Sequence, residues 1–193
     1  PLTLAAWIKS ADNKTGAILS KMDPDTSHRG FDLMLTDGHV GTHLIHSWPQ
    51  NSIKVWSQAK IKNDVWQHVA ITYDGSSKAE GVSIYIDGEL QQKNAPAQNS
   101  LTTTLKTQVP FHVGGRHKKD FMYSGDVADA RIYEVVLTQE EILAIRDGGG
   151  LPNIFAMPAE ERTEQQNDIL ALTYLRNHDE AFQALTAAGR ELS

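Results

Sequence analysis

Three histidines, His39, His43 and His46, crowd the stretch "HVGTHLIHS", and their first reading is as metal ligands. A zinc site needs three or four nitrogen, sulfur or oxygen ligands converging on one point. On a strand His39 and His43 share a face while His46 points the other way, so solvent-facing histidines are expected instead. Hydrolysis of a glycosidic bond is the second chemistry to test. A retaining enzyme needs two carboxyl groups about 5–5.5 Å apart, which one strand supplies from acids two or four residues apart. No Glu-x-Asp-x-x-Glu arrangement occurs, and the nearest pair, Asp126 and Asp129, has the odd spacing that splits it between faces. Glu140-Glu141 and Glu160-Glu161 fall at expected helix starts, where the helix dipole explains them. There is no Gly-x-Ser-x-Gly elbow, and Gly148–Gly150 lacks the Lys-Ser/Thr of a phosphate loop. Cysteine is absent, which excludes a thiolate zinc site, a cysteine nucleophile and a disulfide framework. No enzyme is expected.

The elements that must carry any site are short β runs up to about Tyr133. "LTLAAWIKS", "AILSK", "FDLMLTDG", "HVGTHLIHS", "IKVWSQA", "WQHVAITYDG", "GVSIYIDGEL", "VPFHVGG" and "DVADARIY" follow one another with turn residues between them. Strands at this spacing indicate an antiparallel sandwich or barrel. Asp37-Gly38 and Asp87-Gly88 suit two-residue hairpin turns, in which both positions need positive φ. Thr138 with Glu141 forms a capping box, Ile142 and Ile145 give a short apolar stripe, and Gly148–Gly150 ends that helix. Beyond it, "PAEERTEQQNDILALTYLRN" and "DEAFQALTAAGRELS" read as a helical hairpin. Pro158 suits a first turn, Thr163 with Gln166 offers a second start, and Ala181, Leu185, Ala188 and Leu192 share one face. The expected division is a sandwich over residues 1–147 and a linker with a helical hairpin over residues 148–193.

Length and charge narrow the class further. A chain of 193 residues accommodates one sandwich-sized domain with an appendage. The formal net charge of −6 argues against nucleic acid and anionic membrane as partners. No apolar run approaches the ~20 residues of a membrane helix, so no membrane insertion is expected. The opening "PLTLAAWIKS" starts inside a strand pattern, as a piece of a longer protein would.

Six blocks, "LTLAAWIKS", "AILSK", "DVWQHVAITYDG", "VSIYIDGE", "FHVGG" and "SGDVADARIYEVVLTQEEI", resemble in order the successive signatures of laminin-G-like domains in the concanavalin A-like jelly-roll superfamily. The resemblance covers about Leu2–Arg146. "HLIHSWPQNSIKV" and "YDGSSKAEGVSIYIDG" are similar to a bacterial subgroup embedded in large exported multidomain proteins beside haem-c-binding domains. "PAEERTEQQNDILALTYLRN" resembles the helical segment that follows it there.

The resemblance implies an all-β fold, an antiparallel jelly-roll β-sandwich with a short C-terminal helical extension, at the periplasm or cell surface. It implies a non-catalytic module that recognises carbohydrate, or a spacer that docks neighbouring domains of the same chain. Trp66 would enter its strand as a core plug, with His68 on the same face as a polar partner for a neighbouring strand or loop. Trp7 and Trp56 fall inside strand patterns and are expected in the core. For a sugar, Trp48 before Pro49 either offers an aromatic platform or packs back onto its own sheet. Arg116 and His117 either line the same rim or form a solvated basic loop.

Many relatives hold calcium at the sandwich rim, which makes Asp23, Asp25 and Asp129 candidate ligands for one structural calcium; otherwise they are turn formers. Related pentraxins add acids after their "VGG"-like strand. This chain has "RHKKD" there, whose fixed positive charges oppose a double calcium site.

Overall fold

The computed structural model describes residues 1–148, 154, 157–182 and 184. Two compact units divide the chain, Pro1–Gln139 and Glu140–Ser193. Within the first, eleven strands run in sequence: β1 Leu2–Ser10, β2 Gly16–Asp23, β3 Arg29–Thr36, β4 His39–Ser47, β5 Asn51–Lys60, β6 Trp66–Tyr73, β7 Val82–Ile86, β8 Glu89–Leu90, β9 Gln98–Asn99, β10 His112–Val113 and β11 Gly125–Tyr133. They form a five-stranded sheet, β11-β1-β6-β7-β8, and a six-stranded sheet, β10-β2-β3-β4-β5-β9. Every strand pairing in them is antiparallel.

Alternation fixes which face of each strand meets the other sheet. Leu4, Ile8, Val69, Ile71 and Ile84 line the core from one sheet, and Leu33, Leu35, Leu44, Ile53 and Val55 from the other. The hairpin between β3 and β4 turns at Asp37 and Gly38, with φ of 50° and 84°; that between β7 and β8 turns at Asp87 and Gly88, with 51° and 80°. Both are the positive-φ pairs that the Asp-Gly sequences predict.

Parity overturns one expectation. Val69, Ile71 and Tyr73 of β6 point into the core, so Trp66 and His68, one residue out of phase with them, lie on the outer face of the five-stranded sheet. Trp66 is 44% exposed and is no core plug. His68 is buried against Trp7 of β1, the two rings meeting edge to face at 5.6 Å. Trp7 is also out of phase with Leu4, Ala6 and Ile8, and is only partly buried.

The helix α1, Gln139–Gly148, starts directly after Thr138 with all but its first residue in the second unit, and carries the buried stripe Ile142 and Ile145. After Pro158 comes a short 3-10 turn, Ala159–Glu161. Thr163 then caps α2, Glu164–His178, through the reciprocal bonds with Gln166 that the sequence predicts. Leu185, Ala188 and Leu192 of the expected last helix lie outside the described residues.

Candidate functional site

The six-stranded sheet is buried on both faces at its centre. In β3, Leu33 and Leu35 face the core, while Asp32 and Met34 point outward yet have 0% and 1% exposure. In β4, His43 and Ile45 are likewise turned away from the core and buried. Three loops close over them, those carrying Ser27-His28, Trp48 and Arg116–Phe121. Beneath these loops lies a cavity of about 220 Å³, partly open to solvent, whose walls include His28, His43, Trp48, Lys54, Arg116 and Phe121.

Asp32 is the floor of this cluster. Arg116 donates from Nε at 3.0 Å and from Nη2 to Oδ2, and the His43 amide donates to Oδ1 at 2.7 Å. His43 Nδ1 lies 3.2 Å from both oxygens and 3.1 Å from Arg116 Nη2, so it faces the carboxylate and the guanidinium together. Burial pushes the Asp32 carboxyl up, but attraction to His43 and Arg116 and the His43 hydrogen bonds outweigh it, holding the group at about 2. An isolated carboxylate buried in this way would take up a proton.

The histidine is clamped on its other sides by aromatics. His43 meets Trp48 edge to face at 5.7 Å and Trp56 at 5.2 Å. Trp56 lies across Gly41, its cross-strand partner: a Cβ there would stand 1.7 Å from the indole Cε3. Trp56 therefore sits on the outer face rather than in the core as expected. Lys54 holds Nζ over both indoles, 5.4 Å from the Trp48 ring and 5.2 Å from Trp56. The Arg116 guanidinium lies over Phe121 at 4.3 Å, between its carboxylate and an aromatic face.

Backbone strain concentrates in the covering loops. Ser27 and His28 are consecutive residues at φ 50° and 58°, and Lys118, Lys119 and Phe121 also take positive φ. For non-glycine residues such conformations cost on the order of 1–3 kcal/mol each, and they persist where the surroundings impose them. The Ser27 carbonyl accepts the Trp48 amide at 2.9 Å, tying two of the loops together.

The structure brings Trp48 and Arg116 to one cavity. Arg116 is no solvated rim cation, since it is buried and paired. His117 does not line the cavity; its ring meets that of His112 at a tilt, with Nδ1 3.3 Å from Nε2. Of His39, His43 and His46, only His43 departs from the expected solvent face by being buried. His39 and His46 are half-buried, His39 Nδ1 bonding the Ser57 carbonyl at 3.0 Å and His46 Nδ1 the Thr104 carbonyl at 2.9 Å. Asp32 and Lys54 are the residues that sequence reasoning passed over. Asp32 carried one signal, a charge between apolar neighbours in "FDLML".

The candidate calcium ligands are engaged elsewhere. Asp23 caps the turn after β2, accepting from the Asp25 amide at 3.0 Å and the Thr26 hydroxyl at 2.8 Å. The Thr26 bond pulls its carboxyl below the usual range. Asp25 pairs with Lys118. Asp129, in the other sheet, takes Arg131 in a two-pronged pair at 2.7 Å. Among the described residues no three His, Asp or Glu side chains gather as a metal site. These acids do not fit one shared calcium.

Two layered antiparallel sheets with a covered cleft on one outer face define a lectin-type sandwich. The chain belongs to the concanavalin A-like lectin/glucanase superfamily, whose laminin G-type family model matches residues 1–143. Among solved structures it is similar to the CBM40 domain of the Ruminococcus gnavus IT-sialidase bound to α2,3-sialyllactose. That match has a TM-score of 0.59 at 20% identity and covers 75% of this chain and 82% of the other. The leech intramolecular trans-sialidase gives a TM-score of 0.56 at 17% identity, covering 74% and 22%. The heptameric SAP-like pentraxin of Limulus polyphemus gives 0.52 at 17%, covering 78% and 71%. These likenesses establish the shared fold. No curated protein matches.

Proposed function

We propose that the sandwich is a non-catalytic carbohydrate-recognition module of a larger exported protein, seating a sugar in the cavity above β3, β4 and β5. The observation that carries this reading is the cavity itself: concave, walled by Trp48 and Phe121, with its polar floor locked in place. Small-ligand sites combine apolar walls with a few convergent polar groups in this way. Indole faces suit the apolar faces of sugar rings, and Trp48 is the platform in this reading. The printed description of the R. gnavus domain as bound to sialyllactose supports carbohydrate as the ligand class.

Catalysis is not part of the proposal. No Asp or Glu lines the cavity among the described residues, and both oxygens of Asp32 are taken by Arg116 and His43. Glycoside hydrolysis needs one carboxyl as acid and a second as base or nucleophile. The exported setting, beside haem-c-binding domains, rests on the sequence resemblance; no described helix is long and apolar enough to cross a membrane.

A glycan array probed with the intact chain tests the reading. Binding to a defined set of glycans, lost in Trp48→Ala while the fold persists by circular dichroism, is the expected result. A flat array, or binding untouched by Trp48→Ala, overturns it. A flat array is also what a pure spacer between domains would give.

A further inference from the structure

The charged side chains that line the cavity, Lys54 and Arg116, are donors only, its side-chain acceptors being the Thr15 and Thr36 hydroxyls and the histidine rings, and this bears on which sugars fit. A neutral sugar presents hydroxyl groups that both donate and accept, and it needs acceptors on the protein. The one carboxylate nearby is already engaged, because Asp32 accepts from Arg116 Nε and Nη2 and from the His43 amide, with the His43 ring packed against it.

The donors are not used up. Arg116 is balanced by Asp32, but Lys54 has no acidic partner among the described residues, and its ammonium rests only over Trp48 and Trp56. Such a cation–π contact, when exposed, is weaker than a charge-assisted hydrogen bond. His28 adds a buried Nδ1 with no hydrogen-bond partner, held at the cavity wall by a left-handed backbone. Buried polar atoms almost always find a partner, and a missing one in a cleft is supplied by ligand or water. Counting only the fixed charges, Lys54, Arg116 and Asp32 sum to one positive charge in a chain of net charge −6. No ion pair among the described residues accounts for that local inversion of sign.

We infer that the site selects sugars bearing a carboxylate, with Lys54 as its counter-charge and His28 Nδ1 as a second donor. This rests on the carbohydrate-recognition reading and narrows it to acidic glycans, whether the carboxylate belongs to a sialic acid or to a uronic acid. Trp48 then contacts the apolar side of the same ring.

Titration calorimetry on the intact chain tests this with lactose, 3′-sialyllactose, a glucuronic-acid-terminated disaccharide and a sulfated lactose. An acidic sugar should bind at least tenfold more tightly than lactose, and the two carboxylate probes identify the source. Lys54→Met keeps the side chain's apolar stem and should shrink that advantage to threefold or less, as should raising sodium chloride to about 0.5 M. Lactose binding as tightly as either carboxylate probe overturns the charge inference while leaving the recognition reading intact. So does an acidic preference that survives in Lys54→Met, or sulfated lactose outcompeting both carboxylates. Binding of none of the probes, together with a flat glycan array, overturns both.

Discussion

Replacing Asp32 by asparagine removes the negative charge around which Arg116 and His43 are built. The side chain keeps its size, so the effect is electrostatic rather than a cavity. A carboxyl held at about 2 in the fold against 3.8 in its absence differs by about 1.8 pH units. At 1.36 kcal/mol per unit this linkage is worth on the order of 2 kcal/mol. Asparagine also leaves the Arg116 guanidinium buried without an anion, and breaking one side of a buried pair costs about 3–5 kcal/mol. The unfolding free energy of Asp32→Asn should therefore fall by about 2–5 kcal/mol at pH 7, read from guanidinium chloride titrations followed by tryptophan fluorescence.

The pH dependence carries the sign. The folded-state carboxyl is depressed, so its stabilisation is fully present above the unfolded value of 3.8 and drains away as pH falls toward 2. The wild-type and Asp32→Asn stabilities should converge across that interval. The double variant Asp32→Asn/Arg116→Met, which removes both charges, should recover at least half of the loss. A gap that stays constant from pH 6 to pH 2, or an asparagine variant as stable as wild type at neutral pH, would refute the reasoning.

Two further substitutions probe what supports the site. Gly41→Ala places a methyl group 1.7 Å from Trp56 Cε3, so the indole must leave the sheet surface; overpacking of this kind costs about 1–3 kcal/mol, and the near-ultraviolet circular dichroism of the tryptophans should change with it. An unchanged spectrum would show that Trp56 does not lie on Gly41. Lys93 donates to the carbonyls of Ala79 at 3.0 Å, Glu80 at 3.2 Å and Val82, bracing the turn before β7. Lys93→Met should cost about 1–3 kcal/mol in urea denaturation without altering glycan binding, because β7 is in the opposite sheet. A loss of binding with stability intact would contradict this.

The sheet architecture was legible because its signals are local. Asp37-Gly38 and Asp87-Gly88 announce their turns through the only backbone they suit, and Thr163 with Gln166 announces a helix start. Trp66 was misplaced although the sequence held the correction: Val69, Ile71 and Tyr73 set the inward phase of β6, and Trp66 is out of it. A large aromatic outweighed parity in that reading, and parity decides.

The candidate site was half legible. Trp48 drew notice as a loop tryptophan and Arg116 as a loop cation, but nothing near either residue shows that they meet. Asp32 and Arg116 are 84 residues apart, and an acid on the outward phase of a strand reads as solvent-facing. Only the closure of three strained loops over β3 and β4 turns that face inward. Beside the charge within "FDLML", Gly41 was a second local clue, a glycine inside a strand that marks close approach of another group.

The chain contains four tryptophans, Trp48 at the cavity, Trp56 packed behind it on His43 and two on the other sheet, which gives the central claim a direct measurement. Their indole N–H resonances, assigned by single Trp→Phe variants, can be followed in a 15N-labelled sample during titration with the tightest glycan. The account predicts saturable shifts for Trp48 and Trp56, while Trp7 and Trp66 stay in place. Shifts confined to Trp66 and Trp7 would place the ligand on the five-stranded sheet, and that result would contradict the site described above β3, β4 and β5.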